Sequence, residues 1–132
     1  MPKQFTYGKD EKLKSRKVIE SLFSNGHSFT VYPLKVLYKI ETDKEGILQA
    51  GVAVSTRQFK KAVDRNRIKR LMRESYRIQK NDLKETVALQ KVNLYVFFIY
   101  LDKTITIYSA LNETMKKCLD RLQQKLKDER PA

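Results

Sequence analysis

Residues 60–77, KKAVDRNRIKRLMRESYR, bring together side chains that bind phosphate. Eight of these eighteen residues are Lys or Arg, and only Asp64 and Glu74 oppose them. A guanidinium group bonds phosphate oxygens through a planar fork, and an ammonium group attracts them as a point charge. Asp64 and Glu74 are ten residues apart and do not form a catalytic pair of carboxylates. The residue types and their spacing therefore predict a binding surface for a polyanion.

The stretch divides into two faces when it is placed on a helix of 3.6 residues per turn. The apolar face carries Ile68, Leu71, Met72 and Ser75, with Tyr76 and Ile78 at its edges. The opposite face carries Asn66, Lys69, Arg70, Arg73 and Arg77. A merely solvated face would intersperse its charges, whereas Lys69–Arg73 and Arg73–Arg77 are like-charge pairs that destabilise a helix. Binding of phosphates, which would neutralise this row of cations, explains the like-charge pairs better than exposure to solvent does.

The charge of the whole chain is concentrated in the same way. The net charge is +13 over 132 residues, and residues 57–80 contribute +8 of it while residues 1–17 contribute +4. The remaining residues are close to neutral, so the charge is not spread for solubility alone. Two basic segments in a chain that is otherwise nearly neutral predict a nucleic-acid partner.

Other features narrow the class of protein. A hydrophobic fraction of 41% and a single cysteine, Cys118, predict a cytoplasmic folded domain without internal disulfides. No run of about 18 apolar residues predicts a membrane span, and residues 1–17 lack the apolar centre of a signal peptide. The lone His27 reads as a turn residue and Cys118 as a core residue. The sequence contains no cluster of metal ligands and no Cys–His nucleophile pattern.

Local signals predict one domain over residues 1–132, with an irregular basic arm at residues 1–14 and a folded core over about residues 12–126. Ser15 is predicted to cap a first helix that ends at Asn25-Gly26. Gly26 is expected to adopt the left-handed conformation that often ends a helix.

The following elements alternate between strands and helices. Two strands are predicted at residues 29–40, with a break at Pro33, and at residues 47–55, joined as a hairpin. A long helix without Gly or Pro follows over residues 56–83, and the apolar run at residues 92–101 predicts a strand buried on both faces. A closing helix carries on its apolar side Leu111, Met115, Cys118 or Leu119, Leu122 and Leu126. The predicted order is αβββαβα, an α+β sandwich of layers.

The residues alone leave the kind of nucleic acid open. A basic helix can enter the major groove of DNA, but domains that do so are usually all-helical, and strands are predicted here. The deep groove of A-form RNA does not admit a helix, so an RNA partner would be bound through its backbone and 2′-hydroxyls. This reasoning favours RNA over DNA.

The basic stretch resembles the signature of the bacterial ribonuclease P protein family, in which an Arg-Asn-Arg segment opens a basic helix. Here the segment is Arg65-Asn66-Arg67, followed by Ile68-Lys69-Arg70-Leu71 and Arg73-Glu74. The resemblance extends to LKSRKVIESLFSNGHS, AGVAVSTRQFKKAV and SALNETMKKCLDRL, and so covers most of residues 12–122. It implies an α/β sandwich whose central, mostly antiparallel sheet includes a left-handed βαβ crossover.

The resemblance also implies a role in the endonucleolytic removal of the 5′ leader from precursor tRNA. In this family the RNA subunit is the catalyst and binds the Mg²⁺ that the holoenzyme requires, so no catalytic residue or cofactor is expected in the protein. The expected partners are ribonuclease P RNA and the 5′ leader of precursor tRNA, with no membrane or DNA partner. The alternatives are a structural RNA-binding protein of the ribosomal or assembly type and a basic DNA-binding module.

Two sets of site residues follow from the resemblance. The candidates for contact with the catalytic RNA are Arg57, Lys60, Lys61, Arg65, Asn66, Arg67, Lys69, Arg70 and Arg73. The candidates for a leader cleft between the first helix and the sheet are Ile19, Phe23, Val36, Tyr38 and Ser55. An aromatic wall with basic rims suits single-stranded RNA, because bases stack on aromatic faces. Packing in the core is the alternative for the first four cleft residues, and bracing of the helix start is the alternative for Asn66.

Overall fold

Helices and strands alternate along residues 11–129, the part of the chain that the computed structural model describes. In chain order they are α1 (Arg16–Asn25), β1 (His27–Val31), β2 (Leu34–Glu41), β3 (Leu48–Val54), α2 (Ala62–Gln79), α3 (Asn81–Gln90), β4 (Asn93–Tyr100) and α4 (Tyr108–Glu129). The α+β class is confirmed, with one helix more than predicted. Within the described residues no helix has the length and apolar character needed to cross a membrane. Most of the predicted arm, residues 1–10, lies outside the described residues.

Helix α1 begins where the sequence predicts, because Ser15 caps it. The Ser15 hydroxyl accepts a hydrogen bond from the Val18 N–H group at 3.4 Å. The helix ends at Asn25, but Gly26 has φ −75° and ψ 161°, so the expected left-handed conformation is wrong. Glycine is needed there for another reason, since a Cβ atom on Gly26 would lie 2.5 Å from the Leu22 carbonyl oxygen.

The sheet has the strand order β1-β2-β4-β3, so the predicted hairpin between β2 and β3 is wrong. β4 lies between them, antiparallel to β2 and parallel to β3. The hairpin prediction assumed that strands adjacent in sequence pair with each other. The nearly continuous apolar run of β4 is buried better with a strand on each side. The predicted break at Pro33 is confirmed, since the chain turns at Tyr32-Pro33 between β1 and β2.

The connection from β3 to β4 runs through two helices rather than one. The predicted long helix divides at Lys80, which has φ −77° and ψ −15° and stands at the end of α2 and the start of α3. Because β3 and β4 are parallel neighbours, this connection is the βαβ crossover that the family resemblance implies. Its left-handed sense stays an expectation from that resemblance.

The two faces of the sheet pack against different helices. On one face, Val36, Tyr38, Val96 and Phe98 belong to the main core beneath α2 and α4. On the other face, a second cluster is formed by Leu37 with Leu13 and Leu22, bordered by the partly buried side chains of Tyr95, Phe97 and Ile99. β4 is therefore fully buried on the first face and only half-buried on the second, which α1 covers in part.

The closing helix α4 has the apolar side that the sequence predicts. The residues at its predicted positions are all buried: Leu111, Met115, Cys118, Leu119, Leu122 and Leu126. Burial raises the pKa of the Cys118 thiol to about 12, with a small opposing effect of Arg121. The cysteine is therefore a core side chain.

A buried ion pair ties the start of the described chain to the junction of α2 and α3. Lys80 is 1% exposed, and its ammonium group bonds the Glu11 carboxylate. Lys84 Nζ lies 3.2 Å from the same carboxylate oxygen. The Leu13 N–H group then donates to the Ala50 carbonyl at 2.9 Å, so this segment lies along the outer edge of β3. The end of the predicted irregular arm is therefore held on the sheet.

Replacing Glu11 with Gln is expected to lower the free energy of unfolding by about 3 kcal/mol, because it leaves the buried Lys80 ammonium group without its counter-charge. Urea denaturation at neutral pH measures the change. Glu20→Gln is the matched control, since Glu20 is exposed on α1. Equal stability of the two variants would contradict the role of the ion pair.

The Cys118 thiol is expected to remain protonated and unreactive at about pH 8.5, where an exposed cysteine is half ionised. Because its folded pKa is above the unfolded value, its contribution to stability is present at lower pH and is lost as the pH rises. A chromogenic thiol reagent should react slowly with the native protein and at once in urea. Fast reaction in native buffer would contradict the burial of this side chain.

Candidate nucleic-acid interface

Helix α2 presents its row of cations to solvent, as the helical wheel predicts. Asn66, Arg67, Arg70 and Arg73 are exposed and Lys69 is half-buried. The buried side chains of α2 are Ile68, Met72, Ser75 and Tyr76. The periodicity of the sequence therefore assigns these side chains to the correct faces.

Arg77 differs from the other cations of α2 because it has an acidic partner one turn away. Its guanidinium group forms an ion pair with Glu74, and its Nε atom donates to Glu74 Oε2 at 3.3 Å. This hydrogen bond lowers the pKa of Glu74 below its usual range. The pair reduces the charge near the end of α2, so the positive field is strongest toward the start of the helix.

The loop at residues 55–61, which leads into α2, is anchored by two side chains. Phe59 is buried, with its ring centroid 6.1 Å from that of Tyr100. Gln58 Nε2 donates to the Leu101 carbonyl at 3.3 Å. The loop is thus fastened to the end of β4 and to the segment that follows it.

The same loop supplies cations at the start of α2. Arg57, Lys60 and Lys61 are exposed. The Ser55 hydroxyl accepts a hydrogen bond from the Arg57 N–H group at 3.1 Å, which shapes the first turn of the loop. Lys61 is the N-cap residue of α2 and makes no side-chain capping bond. The positive end of the helix dipole therefore adds to the charge of these side chains.

Arg65 differs from the neighbouring cations of α2 because it binds carbonyl groups of the protein itself. Its Nη1 atom donates to the carbonyl oxygens of Phe59 and Lys60, both at 2.8 Å. The side chain is half-buried, and its guanidinium group binds the protein's own loop. In this structure Arg65 therefore holds the loop that carries Lys60 and Lys61, and its assignment as an RNA contact stays a prediction.

A groove lies between α2, the start of α1 and the outer edge of β3. Its volume is about 480 Å³, and its lining comprises Lys12, Leu13, Lys14, Ile19, Ala50, Gly51, Val52, Arg73 and Phe97. Three cations from two parts of the chain thus surround an apolar floor. A Cβ atom on Gly51 would lie 2.8 Å from Phe97 Cε1, so glycine keeps the floor open beside this ring.

The residues predicted for a leader cleft do not all lie together, and their contact with a leader stays a prediction. Ile19 lines the groove, and Phe23, 59% exposed, packs edge-to-face on Phe97 with 5.8 Å between ring centroids. Val36 and Tyr38 do not lie there, because they are buried on the opposite face of the sheet. Side chains alternate between the faces of a strand, so a register judged wrong by one residue inverts the assignment.

Other residues occupy the face that α1 covers. On β2, Leu37 belongs to the second cluster described above, together with Leu13 and Leu22. On β4, Phe97 and Ile99 pack against this cluster. Ser55, exposed just after β3, uses its hydroxyl in the loop hydrogen bond described above. Sequence reasoning missed Phe97, although the alternation of buried and half-buried positions along β4 would have identified it once the position of α1 was known.

Replacing Arg65 with Ala is expected to loosen the loop at residues 55–61, because the Phe59 and Lys60 carbonyls lose their common donor. Amide hydrogen exchange measured by mass spectrometry should then accelerate in this loop and remain unchanged in α4. Arg67→Ala is the matched control, since it removes the same charge from an exposed position of α2. Acceleration of equal size in both variants would contradict a specific role of Arg65.

Comparison with known proteins identifies relatives along most of the chain. The family model for Ribonuclease P matches residues 7–127. The ribonuclease P protein component of Porphyromonas gingivalis is 31% identical over 122 residues, which cover 92% of this chain and 89% of the relative. The ribonuclease P protein component of Legionella pneumophila (strain Lens) is 30% identical over 114 residues, which cover 86% of this chain and 93% of the relative.

Solved structures share the fold. The RNase P protein of Staphylococcus aureus aligns with a TM-score of 0.64 at 20% identity, over 86% of this chain and 96% of that structure. The RNase P protein from Thermotoga maritima aligns with a TM-score of 0.63 at 22% identity, over 84% of this chain and 96% of that structure. The solved structures support the fold, and the family model and the sequence relatives establish membership of the family. The chain belongs to the ribonuclease P protein family.

Proposed function

We propose that this chain is the protein component of ribonuclease P and serves tRNA 5′ processing by binding two RNA segments side by side. The exposed cations of α2 and of the loop at residues 55–61 bind the RNA subunit. The groove at the edge of β3, together with Phe23 and Phe97, binds the 5′ leader of precursor tRNA. The single, buried thiol and the RNA partners fit a cytoplasmic location.

The position of Arg73 is the observation that carries this proposal. Arg73 belongs to the exposed row of α2 and also lines the groove together with Lys12 and Lys14. A positive surface therefore continues from the helix into the groove. Two RNA segments bound next to each other repel through their phosphates, and cations placed between them lower that repulsion.

The groove has the chemistry that single-stranded RNA needs. Phe23 and Phe97 offer ring surface on which a base can stack without regard to its identity. Lys12, Lys14 and Arg73 can neutralise the phosphates that accompany such bases. Recognition of this kind depends on the length of the leader more than on its sequence.

We assign the cleavage reaction to the RNA subunit. Among residues 11–129 no three His, Cys, Asp or Glu side chains come together as ligands for a metal ion. Following the family resemblance, the Mg²⁺ ions that activate water and stabilise the charge of the transition state are assigned to the RNA. The protein strengthens their binding by holding the leader in place and by lowering the repulsion between phosphates.

Single-turnover cleavage of a 5′-extended precursor tRNA tests this function. Ribonuclease P RNA from the same source is assayed at low Mg²⁺ with and without the protein, using a long leader and a shortened one. We expect strong stimulation with the long leader and much weaker stimulation with the short one. Tight RNA binding without stimulation would favour the alternative of a structural RNA-binding protein.

Replacing Arg67 and Arg70 together with Ala should weaken binding of the RNA subunit and reduce the salt dependence of that binding. Each lost phosphate contact is expected to lower the slope of log K against log salt by about 1. Filter binding over a series of salt concentrations measures both quantities. Lys117→Ala with Lys127→Ala is the matched control, because it removes two exposed cations from α4. An unchanged slope in the α2 variant would exclude this helix from the interface.

A further inference from the structure

Tyr32 lies in the turn between β1 and β2 and is 64% exposed. We propose that its ring stacks on an unpaired base of the RNA that binds α2 and the loop at residues 55–61. The RNA interface then extends from the start of α2 across the end of the sheet to the β1–β2 turn. This inference rests on the proposed function. It adds a contact that lies outside both the exposed cations of α2 and the groove at the edge of β3.

Hydrogen bonds join the β1–β2 turn to the basic loop. The Leu101 N–H group donates to the Pro33 carbonyl at 2.7 Å. The Leu101 carbonyl in turn accepts from Gln58 Nε2 at 3.3 Å. Pro33, which directly follows Tyr32, is therefore linked to the loop through a single residue, Leu101.

A buried aromatic pair, Tyr100 and Phe59, lies close to the turn. Tyr100 is buried between the turn and the loop, its hydroxyl donates to the Thr104 carbonyl at 2.6 Å, and its ring is 6.1 Å from that of Phe59. Burial is the main cause that raises the pKa of Tyr100, and the Tyr32 phenol is close enough to add to the rise. The turn that carries Tyr32 therefore borders a packed part of the core.

The charge around the turn favours a nucleic acid over a protein as the occupant. Arg57, Lys60 and Lys61 are exposed on the adjoining loop, and Lys103 is exposed on the segment after β4. The nearby acid, Asp102, accepts hydrogen bonds from the N–H groups of Lys103 and Thr104 at 2.7 and 3.4 Å. An exposed ring among cations matches the platforms on which single-stranded bases stack.

A tryptophan probe tests the contact directly, because the chain contains no tryptophan. In full-length Tyr32→Trp the indole is the only such fluorophore, and stacking on a base should quench it as ribonuclease P RNA is added. The quenching should follow the binding curve measured independently by filter binding. Leu89→Trp is the matched control: Leu89 is 83% exposed at the end of α3, near the start of β4 rather than its end, and should not respond.

Substitutions at Tyr32 separate stacking from charge. Tyr32→Ala is expected to weaken RNA binding by about 5- to 100-fold, the range found when stacked aromatics are removed. The salt slope should not change, because no cation is lost. Tyr32→Phe should bind like the parent protein. Urea denaturation of each variant shows whether a loss of affinity reflects a loss of folding.

These experiments distinguish the absence of the Tyr32 contact from a failure of the proposed function. If the parent protein and Leu89→Trp bind the RNA while Trp at position 32 is not quenched, the stacking contact is absent. Equal affinity of Tyr32→Ala and the parent protein would likewise overturn the inference. A change in the fluorescence of Tyr32→Trp with protein concentration, without RNA, would instead show that the turn contacts a second copy of the chain. Absence of RNA binding by every variant would refute the proposed function itself.

Discussion

The parallel pairing of β3 with β4 determines where the basic side of α2 lies. Two adjacent parallel strands cannot be joined by a tight turn, so the chain must return along the sheet before it enters β4. The returning segment is α2 with α3, and its apolar side is buried in the main core. The opposite side of α2 is thereby turned outward with its cations. Because β3 is the last strand of the sheet, this helix also borders its outer edge, where the segment at Lys12 and Leu13 lies and the groove forms.

Only some of the cations of α2 stabilise the folded protein. Arg65 and Arg77 bind groups of the protein itself, the first on two loop carbonyls and the second on Glu74. The exposed cations between them repel one another along the helix. Burial of Ile68, Met72 and Tyr76 offsets that repulsion, since apolar side chains of this size contribute about 1.5–3 kcal/mol each. A helix held by its core can thus carry a surface suited to phosphates.

The groove depends on a second anchor at the start of the described chain. Glu11, bound to Lys80 and Lys84, holds the segment that brings Lys12 and Lys14 to the edge of β3. The anchor also marks the point where α2 gives way to α3. One ionic contact between residues far apart in sequence therefore connects the crossover helices with one wall of the groove.

The sequence by itself determined the faces of the helices and predicted a polyanionic partner. The period of 3.6 residues is a local property, so the buried side of α4, the cap at Ser15 and the exposed row of α2 could all be predicted. The density of Lys and Arg likewise needs no fold to indicate a polyanion.

Only the tertiary structure decided which strands are neighbours and which strand faces look toward α1. Strand pairing depends on contacts distant in sequence, and a period of two does not reveal which face a helix will cover. For this reason Val36 and Tyr38 were placed in the cleft although they lie in the core, whereas Phe97 was overlooked. The role of Arg65 also emerged only from the fold, because the carbonyl groups that it binds are brought to it by the anchoring of Phe59.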